Sequence, residues 1–230
     1  MNETVIQAAA LIVPLVFAIV FHEVAHGMMA RALGDPTADE QGRLSLNPLR
    51  HVDPIGTVVL PGILALTHLP VFGWAKPVPV NAARLNHPRR DMILVGAAGP
   101  GSNLIMAAIA AVVLGLVLRP YGGSQEPAGV IGFIVLNLFN FISINVFLAL
   151  FNLLPIPPFD GSHIVEGLLP PRAAAVYDRL RPFGFPLVFI LLVGLPYLIP
   201  GFDLVSRIVL PPVQRLGNHY YALAEAVAGR

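Results

Sequence analysis

Two histidines stand four residues apart in Phe21-His22-Glu23-Val24-Ala25-His26-Gly27, with a glutamate directly after the first. On a helix, residues at that spacing lie about one turn apart and roughly 40° around the axis, so both imidazoles can reach one ion on one face. His-Glu-x-x-His is the zinc signature in which the histidines hold the metal and the glutamate acts as base. The surrounding segment is apolar enough to cross a bilayer, where ionisable groups are costly and mark function by default. Their clustering here predicts a metal centre.

The chain has no cysteine, so any metal must be held by His, Asp or Glu. A catalytic zinc takes three protein ligands and keeps one position for water. His22 and His26 supply two. Asp160 is the best candidate for the third: in Asn152-Leu-Leu-Pro155-Ile-Pro157-Pro158-Phe159-Asp160-Gly161, prolines break a helix and present an acid where it stops. Asp-Gly is also a common turn pair, and His163 and Glu166 are near enough in sequence to take its place. With zinc bound, water becomes a nucleophile near neutral pH. Glu23 would take its proton and pass it to a leaving amine, and Asn152 is a candidate donor to the oxyanion. The chemistry expected is peptide-bond hydrolysis. His51, His68, His87 and His219 lack a paired spacing and read as ordinary polar residues.

The elements that must position these groups are membrane elements. Only 12% of the 230 residues are charged and 56% are hydrophobic, against about 25% charged in a soluble domain. The expectation is an all-α multi-pass membrane protein, a single domain over residues 1–230 with its core at about 5–170. About four transmembrane helices are expected, near residues 5–33, 92–118, 130–154 and 183–199. Met-Asn-Glu offers no positive n-region, so the first apolar run reads as an uncleaved span rather than a signal peptide. Gly34-Asp35-Pro36 is its stop signal.

Between the first two spans, residues 55–69 are short for a crossing and read as re-entrant or packed at the membrane boundary. Residues 73–81 carry prolines that favour extended backbone and an edge strand, giving a small β element. The glycines at 96, 99 and 101 are read equally as close packing and as a place near the site. Asn137, Asn145 and Asn152 form a polar stripe that should face protein or water. The tail, residues 203–230, is interrupted by Pro211-Pro212 and is expected to lie on the membrane surface. A net charge of +1 gives no reason to expect nucleic acid. Membrane lipid surrounds the chain, and the oligomeric state is left open.

If the histidine pair and Asp160 share an ion, the first and third spans run in the same direction, with one return crossing between them. Arg31, Arg43, Arg50, Lys76, Arg84, Arg89 and Arg90 then fall on the same side as Arg172, Arg179 and Arg181, opposite Arg119. That bias puts the site toward the cytoplasm and the N-terminus outside the cell membrane.

His22-Glu23-Val-Ala-His26 followed by Asn152-x-x-Pro155-x-Pro157-x-x-Asp160-Gly161 resembles the site-2 protease family of intramembrane zinc metalloproteases. Gly99-Pro100-x-x-Asn103 and the Gly73 to Val80 segment look like further elements of its compact prokaryotic members, which lack a PDZ domain. The resemblance implies Zn2+ on His22, His26 and Asp160, catalytic Glu23, an auxiliary Asn152 and transmembrane protein substrates. It also implies a membrane-associated β element that receives substrate, so Val78, Val80, Asn81 and Asn103 are the expected substrate contacts. The rival expectation is a zinc transporter, sensor or inactive scaffold. A transporter should line its path with ionisable residues, and the second and fourth spans carry none beyond their flanks.

Overall fold

The computed structural model describes residues 3–59, 63, 66, 74–122, 127–199 and 203–230. Three described helices are long and apolar enough to cross a membrane. They are α1 (Glu3–Ala32), α3 (Pro88–Leu118) and α4 (Gly129–Asn152), with the single turn α2 (Thr37–Glu40) after the first. Shorter helices follow: α5 (Asp160–Leu168), α6 (Pro171–Asp178), α7 (Gly184–Phe189), α8 (Leu195–Leu198) and α9 (Leu210–Ala228).

The ends and kinks of the spans follow from backbone hydrogen bonding. The chain leaves α1 through Gly34, whose φ of 106° few other residues adopt. Pro88 opens α3 where no amide is needed, and the Asp91 carboxylate accepts the His87 N–H at 2.7 Å. Within α1, Pro14 cannot donate to the Ala10 carbonyl. The Asn140 side chain, from α4, donates to that carbonyl instead at 2.7 Å.

Small side chains let α3 approach its neighbours. Ala107, Ala110, Ala111 and Leu114 of α3 pack with Ile142 and Val146 of α4, and Ala224 of α9 belongs to the same buried cluster. α1 packs against both α3 and α4, and α5 packs on α3, which brings Asp160 to the histidines.

Three expectations need correction. The expected fourth span is a helical run made of α7, a π-helical stretch Ile190–Gly194 and α8, and it falls short of the spanning length. The tail does not lie apart as a surface segment: α9 packs on α3 and α4, and the Tyr220 hydroxyl donates to the Leu104 carbonyl at 3.1 Å. The proline pair that made this tail look interrupted directly follows a π-helical stretch, Val205–Val209, that runs into α9, so the helix continues through it with a local π adjustment.

Finally, no strand occurs among the described residues; residues 74–81 form no ladder, although the Trp74 and Lys76 N–H groups bond the Gly56 and His51 carbonyls singly. Pro77 and Pro79 have no N–H to offer a ladder, and the neighbouring backbone groups are engaged by side chains described below. Of residues 55–69, Pro54–Val59 holds a π-helical turn, and most of the rest lies outside the described residues.

Candidate metal centre

His22 and His26 project from one face of α1 and are 7% and 8% exposed. Asp160 occupies the first turn of α5, directly after the proline-rich turn that ends α4. His22 Nε2 lies 3.0 Å from His26 Nε2, and Asp160 Oδ2 lies 3.0 Å from the first and 3.2 Å from the second. Donor atoms around a tetrahedral zinc with bonds of roughly 2.0–2.2 Å stand about 3.3–3.5 Å apart, so small side-chain adjustments would admit the ion. Among the described residues this is the one group of three that meets a metal-ligand spacing.

The protons also fit a cation. His26 Nδ1 is 2.7 Å from the Val95 carbonyl, which can only accept, so Nδ1 carries the hydrogen. His22 Nδ1 is 2.6 Å from Asn103 Oδ1. The orientation of that amide is fixed by its nitrogen, which donates to Asn145 Oδ1 at 2.8 Å and to the Ala18 carbonyl at 3.2 Å. Asn145 in turn donates to the Phe141 carbonyl at 2.7 Å. In their neutral form both imidazoles therefore turn an unprotonated Nε2 toward a carboxylate oxygen. Three acceptors converge with no hydrogen between them, and Asp160 Oδ2 is buried without a hydrogen-bond donor. A metal cation satisfies all three.

The two sequence alternatives to Asp160 are committed elsewhere. Arg181 donates through Nη2 to both Glu166 and His163 Nδ1, the latter at 3.1 Å. Burial, aided by the Arg181 charge, lowers the His163 pKa, which keeps this ring neutral. Asn152 Nδ2 donates to the Leu148 carbonyl in its own helix at 3.0 Å, and its second N–H has no acceptor among the described residues.

Of the expected substrate contacts, Asn103 is completely buried and stands behind His22. The Asn81 N–H goes to Asp35 Oδ2 at 2.6 Å, and its side chain accepts from the Ala83 N–H. The Val78 side chain is buried, and its N–H goes to Glu23 Oε2 at 2.8 Å. Val80 alone of the four keeps a backbone N–H with no acceptor among the described residues.

Sequence reasoning did not settle Gly99. A Cβ there would lie 2.6 Å from His22 Nε2 and closer still to His26 Nε2, so α3 lies directly against the two imidazoles and only glycine fits. Asn103 follows four residues later on the same helical face. An amide in an apolar helix at that spacing was the signal for its place.

Residues 10–195 match the model of peptidase family M50. The chain belongs to peptidase family M50, the site-2 protease family. It is 41% identical over 187 residues to "Putative zinc metalloprotease YwhC" of Bacillus subtilis (strain 168), covering 81% of this chain and 80% of the relative. It is 29% identical over 173 residues to "Putative zinc metalloprotease Rip2" of Mycolicibacterium smegmatis (strain ATCC 700084 / mc(2)155), covering 75% and 62%. No solved structure matches. M50 is a zinc-dependent peptidase family, and His22, His26 and Asp160 are, among the described residues, the group whose spacing could hold a metal ion.

Proposed function

We propose that this M50 chain is an intramembrane endopeptidase that hydrolyses peptide bonds of membrane-spanning substrates, with zinc held by His22, His26 and Asp160 and with Glu23 as the base. The observation that carries this reading is the convergence of two unprotonated imidazole nitrogens on a buried carboxylate oxygen that has no donor. Zinc supplies a Lewis acid that makes water nucleophilic near neutral pH. The chain's own residues do the rest. Asn103 and the Val95 carbonyl keep the imidazole protons on Nδ1. Glu23 takes the proton of the attacking water and delivers it to the leaving nitrogen. The uncommitted Asn152 N–H is the candidate donor to the oxyanion.

A helix in lipid has its backbone bonded internally, so a substrate must unwind before hydrolysis. The free Val80 N–H supports strand-like docking of the unwound segment on residues 78–80. The basic residues flanking the site end of the spans support a cytoplasmic site with the N-terminus outside.

The test is to purify the chain and Glu23→Gln, measure bound zinc, and assay cleavage of a single-span model substrate. Zinc in both proteins with cleavage only by the unsubstituted chain is the expected result. Cleavage by Glu23→Gln would sink the base assignment, and zinc without cleavage in either would favour a carrier, sensor or scaffold. Val80→Pro should raise KM; an unchanged KM removes strand docking.

A further inference from the structure

The extended segment 74–81 is anchored at both ends by buried charge. Arg43, 9% exposed, donates through Nη2 to the carbonyls of Lys76 and Pro77 at 2.8 and 3.2 Å, and through Nη1 to the Arg50 carbonyl at 2.7 Å. The Lys76 N–H bonds the His51 carbonyl at 2.8 Å, and His51 Nε2 bonds the Ser45 carbonyl at 2.7 Å. These contacts join the polar loop after α2 to the segment. At the other end the fully buried Asp35 accepts the Asn81 N–H.

Between the anchors, Pro77 and Pro79 carry no N–H, and the Val78 N–H is directed at Glu23 Oε2. Gly27, one helical turn after Glu23, makes this approach possible. A Cβ at Gly27 would lie 2.7 Å from Val78 Cγ1 and 2.5 Å from Leu44 Cδ2.

We propose that the Val78 amide is a positioning group for the Glu23 base and that Arg43, through the Lys76 and Pro77 carbonyls, holds it there. A carboxylate on a flexible side chain has two equivalent oxygens and several rotamers. Bonding Oε2 to a fixed backbone N–H selects one rotamer and leaves Oε1, which has no partner among the described residues, as the oxygen that takes the proton. A misplacement of about 1 Å at such a group costs on the order of 100-fold in rate. This inference rests on Glu23 being the base, and it separates two neighbouring amides by role: Val78 serves the base, Val80 the substrate.

The experiment uses the full chain in detergent or vesicles with a single-span model substrate. Val78→Pro removes one N–H from backbone that is already extended. Replacing Val78 by its α-hydroxy acid removes the same N–H as an ester, and decides the matter if proline disturbs folding. Both should lower kcat by roughly 10- to 100-fold with KM and bound zinc unchanged. Arg43→Ala should lower kcat likewise and add little on top of the ester. Gly27→Val, which displaces Val78, should reproduce the kcat loss.

An ester variant with normal kcat overturns the proposal. So does a raised KM with kcat retained, which would make the segment a substrate surface only, and so do fully additive Arg43 and Val78 effects. Glu23→Gln serves as the separating control. If it is inactive while the ester variant is normal, only the positioning role falls; if it cleaves, the base assignment falls first.

Discussion

Asn103 Oδ1 lies 2.6 Å from His22 Nδ1, and the Asn103 amide nitrogen lies 2.8 Å from Asn145 Oδ1. A one-directional series of hydrogen bonds therefore runs between the Phe141 carbonyl of α4 and His22 Nδ1 on α1, by way of α3. It ties the three long helices together at the depth of the candidate metal centre. It also fixes which nitrogen of His22 is free to bind.

Replacing Asn103 by Leu removes that acceptor and strands both the His22 Nδ1 proton and Asn145 Oδ1, each a buried loss of about 1–3 kcal/mol. Outer partners of metal ligands typically contribute 10- to 100-fold in affinity. Asn103→Leu should weaken zinc binding by about that factor in a chelator competition, while Asn103→Asp, which keeps an acceptor, should lose less. Equal affinity in all three proteins would mean that the ring is held by something else.

Gly99→Ala tests the other side of the centre. Its methyl group would have to sit 2.6 Å from His22 Nε2 and nearer still to His26 Nε2, far inside contact distance. Alanine favours helix over glycine by about 1 kcal/mol, so α3 itself gains from the change. The expected outcome is near-complete loss of bound zinc with unchanged helical circular dichroism. Retained zinc would show that α3 can move away from the ligands.

The sequence was most legible where chemistry and periodicity coincide. His22, Glu23 and His26 stand out because ionisable residues in an apolar run are costly unless they serve a function. Asp160 stands out because prolines deliver it to a helix end. The three long spans follow from continuous hydropathy.

What stayed hidden depends on contacts between segments distant in the chain. Arg43 and Asp35 look like loop residues until each is seen holding one end of residues 74–81. The same segment looks like a strand because prolines and valines favour extended backbone, but extension alone does not supply a partner. The tail is hidden for the opposite reason: Pro211-Pro212 signals a break, but the π-helical stretch Val205–Val209 carries the helix through it, and packing on α3 and α4 holds it.

Asp35 gives a pH prediction. Its burial raises the carboxyl, but bonds from the Thr37 hydroxyl and the Asn81 and Thr37 amides, with the Arg84 charge, leave its pKa below the usual carboxylate value of 3.8. A depressed folded pKa means that the stabilisation is fully present above the unfolded value and is lost as pH falls through the folded one. The unfolding temperature should be higher for the unsubstituted chain than for Asp35→Asn by a constant margin above about pH 5, and the margin should shrink below about pH 4. A margin independent of pH down to about pH 3 would mean that the ionised carboxylate contributes nothing.

The last prediction concerns α9. Ala224 is 3% exposed inside the cluster shared with Leu114 and Val146, whereas its neighbour Leu223 is 38% exposed. If α9 only rested on a membrane surface, enlarging either side chain would be tolerated. Packed against α3 and α4, it has room for a larger residue at 223 but not at 224. Ala224→Phe should therefore cost about 1–3 kcal/mol through overpacking, read as a lowered unfolding temperature, and Leu223→Phe should stay within about 0.5 kcal/mol. Because α3 also carries Gly99 and Asn103, the strain of Ala224→Phe is transmitted along the helix that lies against the metal ligands. Zinc affinity should fall with stability in that variant alone, and matching behaviour of the two variants would return α9 to the membrane surface.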